Sequence, residues 1–67
     1  MNQDELLYQI EALVREHREG GGAYNRFLLT RYEWQWAQIL SKERPDFANQ
    51  VEILLQLPLE QVLEPDL

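Results

Sequence analysis

Gly20-Gly21-Gly22 constrains this chain more than any other stretch, because it separates two apolar periods that each read as a helix. Three consecutive glycines end a helix through a left-handed cap, expected at Gly20, and leave only enough chain for a tight turn. The periods on either side are therefore expected to pack as an antiparallel helical hairpin. Before the glycines, Leu6, Leu7, Ile10, Leu13, Val14 and His17 share a stripe roughly 120° wide. Asn2 is placed to cap this helix with Glu5 at its third position, and Met1 and Leu6 fall at hydrophobic-staple positions. Asp4 and Glu5 near the start and Arg15 and Arg18 near the end suit the helix dipole. The first helix is read over residues 2–19, and the glycine turn over 20–22.

The second helix is read over residues 23–43, capped by Gly22 or by Asn25 with Tyr24 and Leu29 at staple positions. With this start, Tyr24, Leu28, Leu29, Tyr32, Trp36, Ile39 and Leu40 fall within an arc of roughly 160°, a broad core face. Phe27 and Trp34 lie outside that arc, with Arg31 and Gln38 beside them. Two readings of Trp34 follow. In one, helix 2 is central and Trp34 is core. In the other, Phe27, Arg31, Trp34 and Gln38 form a partner-binding surface, since tryptophan and arginine favour interface centres. A different protein and a second copy of the chain are both open as partners.

Pro45 disfavours helical geometry at Arg44, so the second helix is expected to stop by Glu43. Asp46 is the expected cap of a third helix over residues 46–57, with Phe47, Val51, Leu54 and Leu55 on one face and Ile53 opposite. Pro58 ends that helix and opens a short turn or helix over 58–63 that carries Leu59, Val62 and Leu63. Residues 64–67 are expected to fray. The fold class is thus all-α, a small three- to four-helix bundle in one domain spanning residues 1–67.

Composition narrows the function. The chain has 67 residues and no cysteine, which removes disulfide staples, thiolate catalysis and cysteine-based metal sites. A domain this small needs close helix packing or association. The net charge of −6 is uneven: −3 over residues 1–22 (five acids, two bases), +2 over 23–44 (two acids, four bases) and −5 over 45–67 (five acids). Such an acidic chain is a poor nucleic-acid ligand and is disfavoured at anionic membranes. A helix-turn-helix reading fails because residues 46–57 contain no lysine or arginine. No apolar run is long enough to span a bilayer, and the N-terminus lacks the regions of a signal peptide, so a cytoplasmic location is expected.

Catalytic constellations are weak. His17 is the lone histidine and ends an apolar stripe, the usual place for a half-buried, hydrogen-bonded side chain; no paired-ligand spacing suggests a metal. The acids map mostly to exposed helix positions, and the glycines lack the strand before and Lys-Ser/Thr after that a phosphate loop requires. The expected function is a non-enzymatic protein–protein interaction or regulatory, adaptor-like module without cofactor or metal. The alternative is a homo-oligomeric structural protein.

Overall fold

A computed structural model describes residues 1–20 and 26–65. It contains α1 (Gln3–Glu19), α2 (Arg31–Leu40), α3 (Pro45–Leu55) and a 3-10 turn at Leu59–Gln61. The helices pack on one another as a compact all-α domain, with a radius of gyration of 11.0 Å, close to the roughly 11 Å expected for a compact chain of this length.

α1 forms as its sequence dictates. Asn2 is extended, and its side-chain oxygen accepts from the Glu5 N–H at 2.8 Å. Glu5 answers from its carboxylate, which accepts from the Asn2 side-chain amide rather than from the backbone. Gly20 ends the helix with φ 67°, and its N–H donates to the Glu16 carbonyl. A side chain at Gly20 would be strained by that φ alone. Gly21 and Gly22 lie outside the described residues, as do the expected caps Gly22 and Asn25 and the staple residue Tyr24.

α2 is shorter than expected. Residues 27–30 are not helical; the helix begins at Arg31 behind a complete capping box. Thr30 Oγ accepts from the Glu33 N–H at 3.1 Å, and the Glu33 carboxylate accepts from the Thr30 N–H at 2.8 Å. Two requirements hold residues 27–29 out of the helix. Gln9 on α1 donates from Nε2 to the Phe27 and Leu28 carbonyls. Leu29 forms a parallel bridge with the C-terminal segment: its N–H donates to Val62 O, and its carbonyl accepts from the Glu64 N–H, both at 2.8 Å. These bonds satisfy backbone groups of a buried residue, which an irregular segment must otherwise leave stranded.

The new start re-phases the helix. Trp34, Ala37 and Leu40 are buried, while Tyr32 and Ile39, expected in the core, are 74% and 59% exposed. α2 ends at Leu40, and a turn runs through Ser41–Glu43 before Arg44 becomes extended (φ −122°, ψ 118°), as the residue before a proline prefers. Pro45 then takes the first position of α3, where its missing N–H costs nothing. Asp46, expected as the cap, sits inside the first turn instead, and Arg44 occupies the cap position without a side-chain cap bond.

The core draws on every element: Leu6, Ile10, Leu13 and Val14 of α1, Leu29 of the segment before α2, Trp34, Ala37 and Leu40 of α2, Phe47, Val51 and Leu54 of α3, and Val62. α3 packs extensively on both other helices, which meet each other less. Ile53 finds its neighbour by packing at the core margin, whereas Leu55 is exposed. His17 is half-buried, with Nε2 3.1 Å from Gln61 O; protonated there, it donates to the 3-10 turn.

Arg44 pins the start of α3 to α1. It donates to both carboxylate oxygens of Asp46 (3.2 and 2.7 Å) and to Gln3 Oε1 at 3.1 Å, with its guanidinium 5.0 Å from the Phe47 ring centre. The Arg44 hydrogen bond, aided by the Phe47 N–H and opposed by desolvation, holds the Asp46 carboxyl below its ordinary range. A carboxyl lowered by folding contributes stability above its unfolded pKa and loses it as pH falls through the folded value. Acidification should therefore lower the melting temperature less in Asp46→Asn than in the parent chain. Parallel acid dependence in thermal melts would show that the Arg44–Asp46 pair contributes nothing.

Candidate interaction face

The four residues read from sequence as a partner surface are not brought together. Trp34 is 7% exposed and belongs to the core. The correction has a simple cause: with the helix starting at Arg31, the inward face is defined by Trp34, Ala37 and Leu40, at intervals of three. Phe27 precedes α2, is half-buried, and lines a separate groove of about 600 Å³ with Met1, Tyr8 and Arg26 among others. Arg26 stands over its ring at 5.8 Å. Arg31 is exposed and Gln38 half-buried.

The aromatic surface of α2 lies on the opposite side from Trp34. Tyr32, Trp36 and Ile39 recur at four and three residues and form one ridge. Tyr32 and Ile39 stand largely in solvent, and Trp36 is half-buried with one edge against the core. The Tyr32 and Trp36 rings are 6.4 Å apart and tilted by 45°, within the range of a favourable aromatic pair. This contact holds the exposed ring without burying it. Gln35 stands beside the ridge, and two depressions flank it. One of about 130 Å³ lies among Tyr32, Gln35, Trp36 and Ile39, and one of about 450 Å³ among Gln35, Gln38, Ile39 and Lys42.

The sequence held one overlooked signal for this arrangement. Thr30-Arg31-Tyr32-Glu33 has the S/T-x-x-E form of a capping box, and Leu29 and Trp34 occupy the flanking staple positions. Both are buried. Fixing the start there turns Tyr32 and Ile39 outward.

In chemical terms the face offers apolar area, two side-chain amides and cations. Among the described residues, no group of three histidine, aspartate or glutamate side chains is placed to hold a metal ion, and no helix is long and apolar enough to cross a membrane. Fold and face together define a small all-α domain of three helices closed by a 3-10 turn. No protein-family model matches the chain, and comparison with curated proteins and with solved structures finds no match either.

Proposed function

We propose that the protein is a small, non-enzymatic, adaptor-like module that binds another protein through the outward face of α2. The observation that carries this reading is the exposure of Tyr32 and Ile39 beside Trp36 on a ten-residue helix whose other side is core. Aromatic residues are enriched at interface centres, and exposed apolar patches of this kind mark contact sites. Three such side chains offer on the order of 300–400 Å². That is well under the roughly 800 Å² per partner of a standard interface. The contact is accordingly transient, or the partner reaches beyond the ridge. A cytoplasmic location, and the lack of a cofactor, nucleic-acid or membrane role, belong to this reading as expectations from the sequence.

Site-specific photocrosslinking tests it. A photoreactive residue at Ile39 should capture a partner that the same residue at exposed Glu11 does not. With that partner purified, Tyr32→Ala/Ile39→Ala should weaken binding by about 2 kcal/mol or more, a hot-spot loss. Its melting temperature should barely move, since exposed substitutions usually stay within about 0.5 kcal/mol each. Unchanged affinity, or collapse of the fold, sinks the reading.

A further inference from the structure

The apolar period of α2 does not stop where the helix does. Leu28, Tyr32, Trp36 and Ile39 recur at four, four and three residues, and Phe27 lies two turns before Trp34. A helix that began at Phe27 would carry Leu28 on the outward ridge and Phe27 on the inward line of Trp34. Instead, both precede the helix and are half-buried at the core margin.

The hydrogen bonds show what holds them there. In a helix through residues 27–33, the Phe27, Leu28 and Leu29 carbonyls would accept from the N–H groups of Arg31, Tyr32 and Glu33. Other parts of the chain take all three carbonyls. Gln9 Nε2 donates to Phe27 and Leu28 at 3.3 and 3.2 Å, and the Glu64 N–H donates to Leu29 at 2.8 Å. The Glu33 N–H is likewise taken, by Thr30 Oγ. Two mutually exclusive sets of partners thus compete for the same backbone groups. A segment held against its own helical period marks a functional or strained place in a fold.

We infer that residues 27–30 are a conformational switch that sets the length of the docking face, with the C-terminal segment as its control. When the Leu29 bridge opens, α2 extends back through Phe27, the Glu33 N–H passes from Thr30 to Leu29, and Leu28 joins Tyr32, Trp36 and Ile39. The ridge grows from about 10 Å to about 16 Å between its end residues. Opening gives up the bond from the Leu29 N–H to Val62 and the full burial of Val62, so the bridged form is the resting state. A partner that grips Leu28 along with the ridge shifts the population by its differential affinity for the longer helix. That consequence rests on the docking role proposed above; the switch itself does not.

Thr30→Ala tests the exchange in the intact chain. Thr30 is exposed, and its Oγ cap exists only in the short helix. If opening extends α2, opening forfeits that cap, and removing it beforehand makes opening easier. The Glu64 N–H should then exchange with solvent about five-fold faster in Thr30→Ala, the usual weight of an N-cap. In both chains it should exchange faster than the Ile10 and Leu13 amides inside α1. An unchanged Glu64 rate would mean that the bridge opens without moving the helix. A Glu64 rate equal to those of Ile10 and Leu13 would mean that it opens only as the whole chain unfolds. Either result overturns the inference. Gln9→Met/Glu64→Pro removes all three competing donors and leaves the buried core residues in place. Its Cα chemical shifts at Phe27, Leu28 and Leu29 should move to helical values. The parent's values in the folded variant would also overturn the inference; if the variant does not fold, Thr30→Ala decides alone. Neither readout needs a partner, so their failure leaves the docking face standing, and loss of the face leaves the switch.

Discussion

Trp34→Ala should destabilise the fold by about 3–5 kcal/mol, the usual cost of truncating a large aromatic in a core. Total stability for a chain of this length is about 3–10 kcal/mol, so this one substitution removes a large part of it and lowers the melting temperature by at least about 12 °C. The physical reason is position. Trp34 is 7% exposed and sits with Leu29 at the capped start of α2, where the core of that helix begins. Trp36→Ala should cost clearly less, because half-buried Trp36 only edges the core. Urea midpoints of the two variants, followed by circular dichroism, give the comparison. An equal or larger loss at Trp36 would mean that α2 is turned the other way and that Tyr32 and Ile39 face inward.

Removing residues 58–67 should have an effect of similar size. Val62 is fully buried, and its burial contributes about 1.5–3 kcal/mol. The same deletion strands both backbone groups of Leu29, a residue with no solvent exposure, at about 1–3 kcal/mol for each group left unsatisfied. His17 also loses its acceptor at Gln61. The shortened chain should therefore be largely unfolded in urea concentrations that leave the parent intact. A truncated chain with an unchanged midpoint would show that the tail merely decorates a three-helix core.

The all-α class was legible because α1 and α3 are locally consistent: periodicity, Asn2, Gly20 and Pro45 all point to the same elements. The phase of α2 was not, and Leu28 and Leu29 explain why. Both fit the arc of a longer helix, and apolar periodicity does not say whether a leucine is buried by its own helix or by main-chain pairing with a distant segment. Leu29 is buried the second way, against Val62 and Leu63. Counting it into the helix rotated the inferred core face away from Trp34 and carried Tyr32, Trp36 and Ile39 inward. Of the candidate surface, Arg31 and Gln38 keep their place on the outward side, while Phe27 and Trp34 do not. The Thr30–Glu33 box was the local sign that outweighed the apolar arc.

The Leu29 bridge also bears on the order in which the molecule assembles. Joining residue 29 to residue 63 closes a loop that contains all of α2 and α3, with a length-dependent entropy of roughly 3 kcal/mol. Contacts between α2 and α3 span a four-residue connection and close at far less entropic cost, so they precede the bridge and shorten the gap it must cross. The bridge then acts as a late latch on a preformed helix pair. Amide exchange would register this order: the Leu29 and Glu64 N–H groups, though outside any helix, are protected only while the latch is shut. They should open before the amides of Val51 and Leu54 in the interior of α3.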